Sequence, residues 1–460
     1  MTLPIKCRRT LKEILHHRFL PIRWNLPSHR FKLISEGICG LICLAVGFIV
    51  PAFAQINNFG SPYARFGMGE IQPLSGASLQ SIGGMQAAIA HPQWINTENP
   101  ASLALGALTR VEMGAQARFS NLQTNQQSLL KSNINLAHLA LAIPLGKSWG
   151  TALSFAPMSL HNYDVLGSGL VQPGGGQNPY KVDEYYTGRG GINRLFWGIG
   201  WQVHPQWRVG YGLNAMFGQT IKEFRRVFPD SVQAFNVRVQ DQCSVLGAYH
   251  QVGIQFQPRP KAQRGSGTWG LSLRLPANLP LRQNLLAERF TLIAGNLRIR
   301  DTVVQVAGQE GDMHLPLQAA MGYWVENAGK SGFGLEGIYE PLSRWRVMGV
   351  ADSMQDRWTL KVGGYRVAKP SGNRATDQFI YRSGLRFSPG GLRLRGRSIH
   401  EMAVYAGIGV PLRRSASVLN LGLELGRWGR LDQGLVQEDF VRVNLTLNLN
   451  DRWFIRRVYD

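Results

Sequence analysis

The sequence predicts an all-β protein, a transmembrane antiparallel β-barrel of about fourteen strands. Three observations predict it: residues that alternate with period two, connections that alternate between long and short, and a composition poor in charge. The alternation is clearest in VRVNLTLNLN, residues 441–450, where apolar residues take the odd positions and polar residues the even ones. Successive side chains of a strand point to opposite faces, so this segment has one apolar and one polar face. We therefore expect arginine to be tolerated better at Thr446 than at Leu445.

The same alternation recurs from residue 109 onward. Residues 197–217 read as a hairpin, with tryptophans and aliphatic residues on one face and a turn at 204–206. Most of the predicted strands are close to the ~9–11 residues that a tilted strand needs to cross a bilayer. The predicted strands are 109–119, 134–143, 149–156, 192–203, 207–218, 244–257, 268–275, 317–326, 331–340, 357–367, 378–387, 401–410, 417–427 and 440–450.

Connection length separates a membrane barrel from a soluble sheet, because only the barrel has a reason to place long connections at one end. The long connections are 120–133, 157–191, 219–243, 276–316, 341–356, 388–400 and 428–439. The short ones are 144–148, 204–206, 258–267, 327–330, 368–377 and 411–416. Long and short alternate throughout, which is typical of outer-membrane barrels with short periplasmic turns and long external loops. Both chain termini then lie on the periplasmic side, and 276–316 is expected to form its own hairpin above the membrane.

The composition agrees with this fold. The 460 residues include 53 Gly, and 17% are charged, below the roughly 25% usual for soluble proteins. Mean hydropathy is −0.13, as expected where lumen residues dilute lipid-facing ones. The formal net charge is +22, but the basic residues are scattered and form no nucleic-acid-binding signature, so we expect no nucleic-acid partner.

The N-terminal residues 1–54 are predicted to be a signal peptide. An uncharged stretch, GICGLICLAVGFIVPAFA at 37–54, follows several basic residues and ends in Ala52-Phe53-Ala54, the small-residue pattern of a cleavage site. A single transmembrane helix is the rival interpretation, since ~18 apolar residues are just long enough to span. About 36 residues precede the apolar stretch, which indicates either an extended signal peptide or a start codon assigned too far upstream.

Residues 55–108 lack the strand rhythm and are rich in Gly, Ser, Pro and Asn. They are long enough to lie inside the barrel as a plug, and a lumen of fourteen strands needs filling. The predicted organisation is a signal peptide at 1–54, an N-terminal hatch at 55–108 and a transmembrane barrel at 109–460.

Several stretches at the two ends carry a family resemblance. They are SPYARFGMGEIQ at 61–72, GGMQAAI at 83–89, INTENPASLALG at 95–106 and NDRWFIRRVYD at 450–460. The sequence resembles Bacteroidetes-type outer-membrane proteins related to the FadL/TodX transporters of hydrophobic compounds. The resemblance implies a fourteen-stranded barrel with a hatch that passes hydrophobic molecules. Asn99, Pro100 and Ala101 match the hatch motif of that group, and we expect them to hold a fixed turn on the substrate path.

No motif predicts catalysis, a metal or a cofactor. GSGTWG at 265–270 spells a dinucleotide fingerprint, but a strand follows it instead of a helix, so we interpret it as a turn. Cys243, at a strand edge, is interpreted as a small packed residue. The histidines are scattered without a metal spacing and without a serine partner; they include His91, His138, His161, His204, His250, His314 and His400. The sequence therefore predicts that this protein is not an enzyme.

Two functions fit these features. The first is an outer-membrane channel for passive uptake of hydrophobic small molecules, fatty-acid-like or aromatic. The second is a structural or partner-docking barrel of a surface or secretion assembly, without transport. The expected partners are outer-membrane lipids and lipopolysaccharide, the barrel-assembly machinery and a hydrophobic ligand, and the expected state is a monomer. A channel requires an apolar path past the hatch, whereas docking predicts a blocked lumen and exposed apolar patches.

Overall fold

The structure is a computed structural model, and its described residues belong to one compact unit, Asn58–Asp460. They are residues 60–171, 179–230, 235–258, 265–293, 296–327, 329–372, 374–412, 415–432 and 434–453. The predicted signal peptide and residues 55–59 of the predicted hatch lie outside these ranges. Within them, no helix has the length and apolar character needed to span a membrane.

Fourteen strands form a closed antiparallel ring, which confirms the predicted fold. They are β1 Thr109–Gln123, β2 Ser128–Pro144, β3 Trp149–Leu160, β4 Tyr180–His204, β5 Trp207–Val227, β6 Asn236–Phe256, β7 Ser266–Arg274, β8 Gln318–Asn327, β9 Ser331–Glu340, β10 Met354–Val367, β11 Ile380–Leu394, β12 Arg397–Pro411, β13 Val418–Gly429 and β14 Gln437–Asp451. Each pairs with the next, and β14 pairs with β1 from Asp451↔Thr109 to Gln437↔Gln123. Closure gives the ring no free edge where β1 meets β14.

The burial pattern of β14 is the reverse of that in a soluble sheet. Leu445 is 47% exposed and Leu449 40%, whereas Thr446 is 1% exposed and Arg442 3%. The apolar face therefore lies on the outside and the polar face in the lumen. In water this arrangement would be unfavourable, because burying charged side chains and exposing leucine side chains to water both cost free energy. Lipid around the barrel and polar groups within it account for the pattern.

Aromatic side chains pair at both ends of the barrel wall. We call the end with the short connections the turn end and the other the loop end. At the turn end Trp149 stacks on Trp201 with centroids 4.8 Å apart, and Trp269 lies 4.4 Å from Tyr323. Tyr339 and Trp358 pair at 4.5 Å toward the loop end. Amphipathic rings at these two levels match the aromatic girdles that mark the membrane interfaces of barrels.

The long connections consist largely of strand. The predicted hairpin within 276–316 is confirmed as Ala277–Ile293 paired with Asn296–Leu315, and its first strand continues the sheet beside β6. The remaining short strands are Glu70–Ile71, Tyr163–Val171, Arg346–Val347 and Val350–Ala351. Strand β4 starts twelve residues before its predicted start at 192, because KVDEYYTGRGG at 181–191 carries no apolar alternation.

Replacing Leu445 with arginine is expected to destabilise the barrel by ~2–4 kcal/mol, because the cation would face hydrocarbon near the midplane. Leu170→Arg is the control, since Leu170 lies 72% exposed on the strand Tyr163–Val171 beyond the barrel wall, and we expect it to cost less than about 0.5 kcal/mol. Urea unfolding in lipid vesicles, followed by heat-dependent gel migration, measures both. Equal losses would contradict the assignment of the outer face.

Candidate functional site: the hatch and the lumen

Residues 60–108, which we call the hatch, combine short elements with turns. They contain the 3₁₀ helix Pro62–Arg65, the strand Glu70–Ile71, the helix α1 Ala77–Gln80 and the 3₁₀ helix Pro100–Leu105. Most of these residues are buried, although no helix here exceeds two turns. Such short helices are marginal alone, so the hatch is ordered by its contacts with the barrel.

Lumen-facing glycines let the hatch backbone lie directly on the wall. A Cβ added at Gly210 would overlap the backbone of Pro100 and Ala101, and one at Gly270 would overlap the backbone of Ala87. Gly384 likewise meets the backbone of the hatch at Ile82 and Gly83, on the far side of the ring. Glycine weakens a strand, and close approach of another backbone explains why these strands carry it.

Asn99, Pro100 and Ala101 form the fixed turn that the sequence predicted. The Asn99 side chain is fully buried. Its Oδ1 accepts a hydrogen bond from the Ala101 amide at 3.1 Å and caps the following 3₁₀ helix, with Pro100 in the first turn. Its Nδ2 donates to the carbonyls of Ala87 and, at 3.3 Å, of Leu271 on the wall. The turn joins two hatch segments to the barrel; its part in substrate passage stays a prediction.

Buried carboxylates on the wall bind amides of the hatch. Glu336 Oε2 accepts hydrogen bonds from the amides of Gln86 and Ala87, both at 2.6 Å, while its Oε1 binds Lys361 Nζ at 3.0 Å. Lys361 also donates to the carbonyl of Gly84 at 2.7 Å. Strand alternation can place Glu336 on the lumen face, but it carries no signal for a contact with Gln86, 250 residues away.

A second carboxylate binds the hatch on the opposite side of the barrel. Glu112 Oε1 accepts hydrogen bonds from the Ile95 amide at 3.1 Å and from Asn448 Nδ2 at 2.7 Å. Its Oε2 lies 3.1 Å from His138 Nε2. Thr446 Oγ1 accepts from the Ala77 amide at 2.9 Å. An arginine at Thr446 would lose this buried hydrogen bond, so Thr446→Arg is expected to disturb the hatch contact and is not a neutral control for Leu445→Arg.

Ion pairs surround the space that the hatch leaves. Arg118 binds Glu70 of the hatch and, at 2.8 Å, Glu438 of β14. Arg442 binds Glu424 at 2.5 Å. One cavity in this space has a volume of about 230 Å³. Its lining mixes cations such as Arg118 and Arg442 with carboxylates such as Glu70 and Glu340, and with apolar side chains that include Met68, Met158 and Trp345. Charged groups and apolar side chains therefore share this part of the interior.

One seam in the wall is closed by the hatch. Strands β2 and β3 pair only from Leu139↔Phe155 to Pro144↔Gly150, so the loop-end part of β3 has no partner from β2. The strand Glu70–Ile71 takes that place and pairs with Leu160 and Ser159. The hatch thus contributes hydrogen bonds to the wall as well as filling the lumen.

An apolar cluster rich in methionine lies under the hairpin formed by Ala277–Ile293 and Asn296–Leu315, which we call the outer hairpin. It includes Met158, Met216 and Met313 around Trp345, with Met68 of the hatch packed against it. Methionine side chains are flexible and fill irregular spaces. An apolar, adaptable cluster of this kind is the type of surface that a hydrophobic ligand would contact.

The histidines and the cysteine considered in the sequence lie in different surroundings. Among the described residues, no three histidine, cysteine or carboxylate side chains could hold a metal ion. His250, on the outer face, contacts Tyr211 through Nδ1 at 2.6 Å. Cys243 lies half-buried with Sγ 3.5 Å from Asp241. GSGTWG lies within β7 from Ser266 onward, so its interpretation as a turn is wrong; the motif belongs to a paired strand.

The fourteen-strand ring, its lipid-facing apolar surface and its filled lumen define an outer-membrane β-barrel with an N-terminal hatch. A family model described as BamG matches residues 37–460, and the chain belongs to this family. A search of curated proteins finds no match.

Solved barrels share the fold. A Pseudomonas aeruginosa FadL homologue has a TM-score of 0.57 at 12% identity, covering 83% of this chain and 100% of its own. The CymD monoaromatic hydrocarbon channel gives 0.53 at 13%, covering 84% and 99%. The toluene transporter TbuX of Ralstonia pickettii gives 0.53 at 12%, covering 83% and 99%. Identities this low establish similarity of fold alone.

Gly210→Ala is expected to displace the hatch while the ring still forms, because the added methyl group overlaps the backbone at Pro100. Gly337→Ala is the matched control, since its Cβ would approach only Leu360, at 3.9 Å. Labelling of a cysteine introduced at Ser102, which is buried in the hatch, measures displacement in folded protein. Equal labelling in both variants would show that close contact at Gly210 does not hold the hatch.

His91 occupies the turn-end part of the hatch and stacks on Trp94 with centroids 4.3 Å apart. Burial, with the positive charges of Arg382 and Arg110, lowers the pKa of His91 to about 3. Glu326 lies 3.8 Å away, but two other side chains already donate to its carboxylate. The folded protein therefore holds His91 neutral.

Stability is expected to fall as pH drops below about 6.5, the ordinary pKa of histidine, because the unfolded chain then binds a proton that folded His91 excludes. The contribution is complete above that pH and is lost progressively toward pH 3. His91→Phe should reduce the slope of this part of the profile without removing it, because burial also lowers the pKa of His161 to about 3. His204→Phe, in an exposed turn, is the control. Chemical unfolding across the pH range is the measurement; identical profiles for wild type and His91→Phe would contradict it.

Proposed function

We propose that this chain is a sealed outer-membrane barrel that docks partner proteins and belongs to the machinery that assembles other barrels. The observation that carries the proposal is the binding of the hatch across the lumen by Glu336 and Glu112. Membership of a family described as BamG supports the link to barrel assembly. The docking role is the second of the two functions that fit the sequence.

The energetics favour a hatch that stays in place. Moving it would strip the amide partners from two buried carboxylates and break the ion pair between Glu70 and Arg118. Leaving one member of a buried charge pair alone costs ~3–5 kcal/mol. Passive diffusion supplies no energy for such a step, so solute passage along the lumen is disfavoured.

The surface beyond the membrane fits a docking role. The outer hairpin connects β7 to β8 and pairs beside β6. Its tip exposes Leu292, Ile293 and Ile299, whose exposed fractions are 48%, 54% and 53%. Isolated exposed apolar residues are ordinary, but a group of them on one projecting hairpin is typical of a protein-binding surface. Long external connections thus provide the contacts and the barrel provides the anchor.

The intact barrel is expected to give no stable conductance in planar bilayers and to co-purify with the central barrel of the assembly machinery, identified by mass spectrometry. Changing Leu292, Ile293 and Ile299 to serine should reduce that co-purification. The control, serine at Leu166 and Leu170, alters exposed leucines on the separate outer strand Tyr163–Val171 and should not. Stable conductance, or capture that neither variant changes, would overturn the proposal.

A channel for hydrophobic molecules is the second candidate, favoured by the seam between β2 and β3 and by the methionine-rich cluster. Uptake of a hydrophobic fluorescent probe into vesicles distinguishes the two functions. A channel predicts uptake above that of empty vesicles and a changed rate after deletion of residues 60–95. A docking barrel predicts that intact protein and empty vesicles behave alike.

A further inference from the structure

The outer strand, Tyr163–Val171, has one edge that pairs with no strand among the described residues. Its other edge pairs with residues 180–188 of β4 along the whole length of the strand, without a register shift. The outer strand contains no proline and one charged residue, Asp164. A regular edge of this kind presents a row of N–H and C=O groups on which a further strand can pair.

The opposite edge of the same sheet is protected. The outer strand, the loop-end parts of β4–β6 and the outer hairpin form one sheet, which we call the outer sheet. Its far edge is Asn296–Leu315, where the pairing shifts register at three places and residues 298–301 expose two arginines and an aspartate. Bulges and charged side chains keep edge strands from pairing. The edge of the outer strand has no bulge, so it is the edge of this sheet that is suited to binding another strand.

The sequence of the outer strand reads the same in both directions. Residues 165–171 are VLGSGLV, with Ser168 at the centre. Two identical strands that pair antiparallel about Ser168 place like residues opposite each other. A contact between two copies about a two-fold axis needs such a self-complementary surface. The opposed pairs are Val165 with Val171, Leu166 with Leu170, and Gly167 with Gly169.

The exposed side chains of the outer strand also fit a second copy. Leu166 and Leu170 lie on one face of the strand and are 59% and 72% exposed. In the symmetric pair each would lie directly across from a leucine of the other copy, and apolar cross-strand pairs stabilise a sheet. A Cβ at Gly169 would meet nothing within 4 Å, so no side chain crowds the approach there. A strand of another protein would gain nothing from the symmetry about Ser168, whereas an identical strand does.

We propose that a second copy of this chain pairs with the outer strand, antiparallel and centred on Ser168, so that two barrels share one continuous outer sheet. The contact involves neither the hatch nor the outer hairpin. It therefore stands or falls independently of the proposed function.

The pairing places the two barrels in facing membranes. Strands β4 and β5 pair without a register shift from Gln202↔Arg208 to Asp183↔Val227, so the outer sheet continues the barrel wall. The two-fold axis of an antiparallel pair is perpendicular to its sheet, and for a sheet that continues the wall this axis lies in the plane of the membrane. Rotation about that axis turns the second barrel upside down. Barrels within one membrane thus stay monomeric, and barrels of two facing membranes join through their loop ends.

The first test is a disulfide across the axis. Directly opposed residues have Cα atoms ~4.5–5.5 Å apart, within the ~4.4–6.8 Å that a disulfide spans, so Ser168→Cys should link two copies when purified protein in detergent is mildly oxidised. The matched control is Gln305→Cys, exposed on the far edge of the outer sheet, and wild type shows the contribution of Cys243. Dimer from Ser168→Cys above both is expected on a non-reducing gel. Equal dimer from the two cysteine variants would overturn the proposal.

The second test uses charge to check the register, with the cross-link of Ser168→Cys as the readout. Leu166→Lys with Leu170→Lys opposes like charges in both leucine pairs and should lower the yield of dimer roughly tenfold. Leu166→Lys with Leu170→Glu opposes unlike charges and should restore it, because each position faces the other across the axis. Heat-dependent migration checks the folding of every variant. If both double variants keep the cross-link, or both lose it, the register centred on Ser168 is wrong.

The third test addresses the facing arrangement. Two populations of lipid vesicles carry the wild-type barrel and differently coloured lipids, and clustering between the colours is measured by light scattering and microscopy. Wild type should cluster the vesicles, Leu166→Lys with Leu170→Lys should not, and Leu166→Lys with Leu170→Glu should restore clustering. Cross-links of Ser168→Cys that form within single vesicles without any clustering would contradict the facing arrangement.

Discussion

Hydrocarbon offers no hydrogen-bond partner to a peptide group, and the rest of this structure depends on that constraint. The sheet must close on itself, so β14 returns to β1 over its full length. In the closed barrel the apolar face of each strand points outward to lipid and the polar face points into the lumen, the reverse of a soluble sheet. Once the polar face is enclosed, each of its charges needs a partner within the lumen, because an unpaired buried charge is costly.

The hatch meets part of that need. It supplies Glu70 to Arg118 and supplies backbone amides to Glu336 and Glu112. In return the wall supplies glycines where the hatch backbone lies closest. Each part supplies what the other lacks: the hatch has no long helices of its own, and the lumen without the hatch would hold more unpaired charge. The filled interior thus results from the hydrogen bonds, ion pairs and close backbone contacts that the hatch and the wall make with each other.

The strands could be predicted from the sequence, and the interior could not. The alternation around Leu445 and Thr446 identifies both faces because each residue's orientation is set by its immediate neighbours. The Asn99–Pro100–Ala101 turn was predictable for the same local reason. The contact of Thr446 with Ala77, or of Glu336 with Gln86, joins residues hundreds of positions apart. The extra length of β4 was missed because its outer part lies beyond the membrane, where no apolar face is required.

The strand Glu70–Ile71, which completes the wall beside β3, constrains the order in which the chain folds. This strand precedes β1 in the sequence and pairs with β3, yet the hatch also accepts a place beside the last strand, where the Ala77 amide donates a hydrogen bond to Thr446. The hatch therefore cannot make all of its contacts until the last strand is in place. Contacts that span almost the whole chain make such folding slow, so this barrel is itself a demanding substrate for assembly.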